Sequence, residues 1–167
     1  IIIVNSPDEI KLDNNMMTGQ SAPIMAVLAS DNDSVGKDFA KKMMDLSAET
    51  LGVKSFSMYY NPIFESNEEA LRKASLVYLM DRKINTDGSF EKEILASYKK
   101  QYCKTPSKYA VIGFDVVNDI LSRENSKGEL FKQITKSQTQ LATKFEYVKS
   151  KGGAYVNTGC RVVRLIP

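Results

Sequence analysis

Over the first 80 residues, short apolar runs alternate with helix-length segments, and this pattern constrains the chain more than any other feature. Residues 1–4 are a continuous β-branched run, the mark of a strand buried on both faces. Ser6, Pro7 and Glu9 then supply an N-cap, a proline suited to the first helical position and a glutamate able to close a capping box. The short helix that follows carries Ile10, Leu12 and Met16 and ends before Gly19. Residues 23–29 read as a second buried strand. Five small polar residues, 30–34, then cap a helix that buries Val35, Phe39, Ala40, Met43 and Leu46 and runs out near Gly52. Residues 53–60 alternate as a third strand, broken by Asn61-Pro62. Ser66 and Glu69 have capping-box spacing for a short helix through Leu71, and residues 74–80 form the fourth strand. Short crossover helices between buried strands predict an α/β fold: a parallel sheet with right-handed connections and helices on both faces.

The second half reads differently. Phe90, Ile94, Tyr98 and Tyr102, spaced by four, mark one helix, and Pro106 ends it. Ser107 caps the next, whose Val111, Ile112, Val116, Val117, Ile120 and Leu121 form a wide apolar stripe expected to face a core. Gly113 costs helix propensity, so its missing side chain is expected to admit another element at close range. Residues 129–141 read as one more helix with Leu130, Phe131, Ile134 and Leu141 inward. Alternation at Tyr147, Tyr155, Val156, Val162, Val163 and Leu165 around Gly152-Gly153 predicts an antiparallel hairpin that ends the chain.

Phe90, Tyr98, Tyr102, Pro106, Tyr109, Ala110, Gly113, Phe114 and Asp115 together resemble the carboxy-terminal half of the type I periplasmic binding proteins. These are the two-lobed receptors for branched-chain amino acids and their relatives, and the similarity is strongest to the lipoprotein-like versions common in Bacteroidetes. The resemblance implies that residues 1–82 and 144–167 belong to the second lobe and that 88–143 are a helical portion contributed to the first. It also implies that the upstream half of the receptor is absent and that the chain starts inside a fold. Residues 1–4 accordingly show no basic leader or cleavage region. The function implied is non-catalytic, extracytoplasmic binding of a small polar solute, such as an amino acid or a peptide-like molecule, in an interlobe cleft. Closure would turn about 81–87 and 143–145. Its implied partners are the solute, the missing first lobe and a membrane permease, and its implied location is the periplasmic or outer-surface cell envelope.

Composition narrows the chemistry. The chain has no histidine, which removes histidine-based acid–base catalysis, Ser–His and Cys–His nucleophile pairs and histidine-ligated zinc. Neither catalytic residues nor a metal or cofactor is expected. A net charge of +3 spread along the sequence does not point to nucleic acid. Cys103 and Cys160 are expected to be ordinary semi-buried thiols, with a disulfide the alternative. The longest apolar run, residues 22–29, has eight residues where about 20 are needed to span a bilayer. Gly152, Gly153 and Gly159 form no phosphate loop.

Ligands of parallel α/β sheets meet the loops at the carboxyl ends of the strands. Two loops stand out there. Ser30, Asp31 and Asn32 offer short polar groups beside a helix start, where Asp33 or Ser34 can equally serve as a plain N-cap. Tyr59, Tyr60 and Asn61 offer aromatic faces and an amide, with one tyrosine expected in the core and one outward. Receptors of the resembled family carry a tyrosine after the first of these strands and, after the second, an acidic residue that holds the substrate ammonium. Asn61 stands near the latter place, so Asp31 is the substitute carboxylate. That departure motivates the alternative function, a cell-envelope interaction module that has lost its solute. Asp115 reads as a structural tie to a turn or backbone amide, with ligand contact as its rival. A half-receptor is also expected to expose apolar surface and to self-associate through it.

Overall fold

The structure is a computed structural model that describes residues 1–11, 25–124, 127–129 and 133–166. It is mixed α/β, with a four-stranded, mostly parallel sheet, helices and small antiparallel strand pairs. Two compact units divide it, 1–80 with 162–167 and 81–161. Residues 144–161 fall in the second unit and 162–167 in the first.

In the first unit, β1 (Met25–Leu28), β2 (Lys54–Ser57) and β3 (Val77–Met80) pair in parallel, and β8 (Arg161–Arg164) takes the fourth place beside β3. Three of the four anticipated strands are present, each shorter than its apolar run. Residues 1–4 are the exception. They form no strand, and Ile1, Ile2 and Ile3 are exposed. β-branched residues make a strand only where a neighbour supplies a ladder, and residues 1–4 have no such neighbour among the described residues. Ser6 does cap a helical turn, accepting from the Asp8 amide, but this is a single 3₁₀ turn over Pro7–Glu9. Leu12, Met16, Gly19, Pro23 and Ile24 lie outside the described residues.

The connections are α1 (Asp33–Glu49) between β1 and β2, then α2 (Pro62–Ser66) and α3 (Glu68–Lys73) before β3. Phe39, Ala40, Met43, Phe64 and Leu71 from these helices meet Leu28, Leu76, Tyr78 and Leu165 in the core, with Val35 and Leu46 half-buried at its edge. The predicted capping box at Ser66 does not form: the Ser66 hydroxyl donates back to the Pro62 and Ile63 carbonyls, and Asn67 occupies the N-cap. Among the described residues of this unit, the helices pack on the face of the sheet that carries Leu28, Leu76 and Tyr78. Met25, Val27 and Val162 on the opposite face remain exposed. On the core face β2 presents serines, tolerable because the Ser55 hydroxyl donates to the Ala74 carbonyl (3.1 Å) and the Ser57 hydroxyl to the Tyr59 carbonyl (2.6 Å).

The second unit holds the anticipated helix pair, α4 (Ser89–Tyr102) and α5 (Lys108–Arg123). Cys103 ends α4 in the left-handed region (φ 55°), and the Ser107 side chain caps α5 by accepting from the Ala110 amide (3.2 Å). Its apolar core is small: Val111, Leu141 and Ala142, with Ile84, Ile94 and Phe114 partly buried against it. The apolar stripe of α5 faces the wrong way for a core. Val116, Val117, Ile120 and Leu121 are exposed, whereas the buried positions are Val111, Asp115, Asp119 and Arg123. Nothing lies within 4 Å of the space a Gly113 side chain would fill, so the close approach expected there is not made.

The predicted helix over 129–141 is also corrected, with Leu130 and Phe131 outside the described residues. The carbonyls of Gln133, Ile134 and Lys136 all accept from one Arg123 Nη1 (2.8, 3.0 and 2.8 Å), and the Gln133 carbonyl also accepts from the Lys136 amide (3.0 Å) in a tight turn. β4 (Gln138–Thr139) then pairs antiparallel with β5 (Lys144–Phe145). β6 (Tyr147–Lys149) and β7 (Tyr155–Asn157) form the predicted hairpin, closed near Gly153 at φ +87°, after which the chain leaves it to enter the sheet as β8. Cys103 and Cys160 are free and exposed, not semi-buried.

Candidate functional site

Because β1, β2 and β3 run in parallel, their carboxyl ends share one edge of the sheet, and the loops at 29–32 and 58–61 leave from it. Asn32 is the N-cap of α1. Its Oδ1 accepts from the Ser34 and Val35 amides (2.9 and 3.3 Å), and its own amide donates to the Ser30 hydroxyl (3.2 Å). The start of α1 is therefore closed by its own loop, and Ser30 and Asn32 act in that closure.

Asn61 caps α2 in the same way, its Oδ1 accepting from the Ile63 amide (3.1 Å), and it also reaches across to the first loop. Its Nδ2 donates to the Asp33 carbonyl and to Asp33 Oδ1, both at 3.1 Å. The side chain is 4% exposed, so Asn61 is a buried clamp between the loops and not an outward ligand. Gly36 makes the clamp possible: a Cβ at that position would lie 2.5 Å from Asn61 Nδ2.

The two tyrosines do not divide into one inside and one outside. The strand stops at Ser57, whose hydroxyl bonds the Tyr59 backbone, and both Tyr59 (43%) and Tyr60 (36%) emerge exposed. The Tyr60 hydroxyl donates to Glu65 Oε2 (2.9 Å). Burial, that hydrogen bond and the Glu65 charge all raise its pKa. Tyr60 stands 6.0 Å from Tyr78, which packs 5.2 Å from Phe64. Tyr78 is raised to about 12, by burial first and then by the charge of Glu65. The ring surface at the strand ends is thus anchored in the core. Asp31 is exposed in the first loop, and Asp33 pairs with Lys37 at 3.9 Å.

Of the six anticipated residues, Asp31, Tyr59 and Tyr60 offer polar and aromatic surface outward, while Ser30, Asn32 and Asn61 are committed to structure. Sequence reasoning passed over Gly36, Glu65 and Tyr78. A glycine in the first turn of a helix was a usable signal for close packing; Glu65, five residues from Tyr60 on α2, and Tyr78, packed on Tyr60 and Phe64, depend on side-chain contacts that periodicity does not mark.

No protein-family model, curated protein or solved structure matches the chain. The remaining polar clusters of the described residues are internal ties. Asp115 is fully buried, and its Oδ2 accepts from the Ala142 and Thr143 amides (3.1 and 2.8 Å), the structural role rather than a ligand contact. Arg123 pairs with Asp119 through two bonds (2.8 and 2.9 Å) and lies 5.0 Å over the Tyr147 ring. Asn157 Oδ1 accepts from the Glu146 and Gly159 amides (2.8 and 3.0 Å). Among the described residues no group of three or more His, Cys, Asp or Glu gathers as a metal site, and no helix is long and apolar enough to cross a membrane.

Proposed function

We propose that this chain is the solute-facing part of a non-catalytic, extracytoplasmic binding protein of the type I periplasmic kind. It takes a small polar solute, an amino acid or a peptide-like molecule, at the carboxyl edge of its parallel sheet. The observation that carries this reading is the pair of edge loops locked together by Asn61 and Asp33, with Asp31, Tyr59 and Tyr60 left outward. A locked loop pair holds its exposed groups in place before a ligand arrives, which lowers the ordering cost of binding. Asp31 supplies a carboxylate for an ammonium group, and the tyrosines supply ring faces and a hydroxyl. A membrane permease is the partner such a protein would serve, and the cell envelope its place.

One observation favours the second reading, an envelope interaction module without a solute: Ser30, Asn32 and Asn61 already spend their polar groups on the fold. Isothermal calorimetry against amino acids, short peptides and cell-wall fragments separates the two. A saturable heat that disappears in Asp31→Ala supports solute binding. Silence across the whole panel rejects it in favour of the module.

A further inference from the structure

The positive charge of this chain is dispersed except at one place, the turn between α4 and α5. Lys99, Lys100, Lys104 and Lys108 fall within ten residues there, all exposed, with no acidic residue among them. Among the described residues none of the four is paired with a carboxylate. The fold accounts for only part of this charge. Lys99 and Lys100 lie in the last turn of α4, where a cation suits the negative end of the helix dipole. Lys108 opens α5 at the positive end, where the dipole disfavours it, and no acidic residue in that first turn offsets it. A lysine ammonium is costly to bury without a partner, so four together mark a surface that meets water or anions. Aromatic rings stand among them. Tyr102 (52%) and Tyr109 (76%) are exposed, Tyr98 packs 4.6 Å from Tyr102, and the Lys108 ammonium lies 5.7 Å from the centre of the Tyr109 ring.

We propose that this turn docks on an anionic lipid surface, with the lysines held by the headgroup charge and the tyrosines seated at the headgroup level. Clusters of about four or more basic residues on helices bind anionic bilayers by diffuse attraction, and tyrosine is enriched at the membrane interface. The composition selects lipid over nucleic acid. The patch is all lysine, a point charge suited to a diffuse field, and it holds no arginine, whose planar fork reads individual phosphates and base edges. The contact is peripheral: rings and lysine stems reach the interface, and no described helix is long and apolar enough to cross the bilayer. It asks nothing of the solute loops, so it stands or falls apart from them.

The test is co-sedimentation of the whole chain, with reductant present to keep Cys103 a thiol, with vesicles of phosphatidylcholine alone or with added phosphatidylglycerol. Binding is expected only with phosphatidylglycerol, and is expected to fall by about tenfold or more between low and physiological salt. Lys99→Gln with Lys100→Gln, and separately Lys104→Gln with Lys108→Gln, remove exposed charges while keeping good helix formers. Each pair is expected to weaken binding by about tenfold or more. Lys149→Gln with Lys151→Gln removes the same charge from exposed positions outside the patch and is expected to change binding by less than about twofold. Losses as large in that control pair would reduce the effect to net charge and overturn the proposal. So would indifference to phosphatidylglycerol or to salt, or retention by a single-stranded oligonucleotide without vesicle binding.

Discussion

Asn61 joins three groups with one side chain, and Gly36 leaves room for it. Asn61→Ala leaves the capping and clamping bonds unmade and is expected to cost about 1–3 kcal/mol in urea unfolding. Gly36→Ala is expected to destabilise the native chain, because the new methyl meets the amide. In the Asn61→Ala background the same change should be neutral or stabilising by up to about 1 kcal/mol, since alanine is the better helix former. Equal effects of Gly36→Ala in both backgrounds contradict the clamp. Tyr78 gives a pH signature. It is a neutral acid whose folded pKa is raised from 10.0 to about 12, so the folded state holds the proton longer. Its contribution is fully present below pH 10 and is lost as pH climbs toward 12. Tyr78→Phe should flatten that part of the stability profile, with tyrosinate absorbance marking the titration. An unchanged alkaline slope in Tyr78→Phe would place its cause elsewhere. Both effects depend on pairs distant in sequence, and Asn61 to Asp33 spans 28 positions, so residue-by-residue reading saw a cap and a strand end but not the clamp.

Among the elements, α5 departs furthest from its amphipathic pattern. Its buried side is Val111, Asp115, Asp119 and Arg123 at four-residue steps, three of them ionisable and all satisfied through backbone or ion-pair contacts apart from one carboxylate oxygen, Asp115 Oδ1. Asp115→Ala strands two inward amides and is expected to cost about 2–3 kcal/mol. Asp115→Asn keeps one oxygen for both amides and should retain most of that stability. Equal losses in thermal melts would show that these amides do not depend on the oxygen. The periodicity of α4, α5 and the three parallel strands was legible because local apolar spacing decides where they form. The direction α5 faces was not, because its neighbours are the backbone amides of 142 and 143 and the carbonyls of 133, 134 and 136. From 133 to 141 the described residues form a turn and the strand β4 rather than a helix, with three of their carbonyls gathered on Arg123. Residues 1–4 mislead in the opposite sense: strong β propensity without a ladder to join.

For the whole molecule, the description is of two units, one built on a sheet with a large apolar cluster and one whose described residues give a smaller cluster around Val111, Leu141 and Ala142. The first should carry most of the stability. Phe39 is 1% exposed in its core, and Phe39→Ala is expected to cost about 3–5 kcal/mol in urea unfolding. A cost under about 1 kcal/mol would mean that the core is not where the structure puts it. The site proposed for a solute lies in this same unit, at the edge where its parallel strands end. The most direct measurement is an amide nuclear magnetic resonance titration of the chain with the solute panel. Saturable shifts confined to 29–33 and 58–61, absent in Tyr59→Ala, are the expected result. Shifts elsewhere with these loops silent, or no shift from any solute, would contradict it.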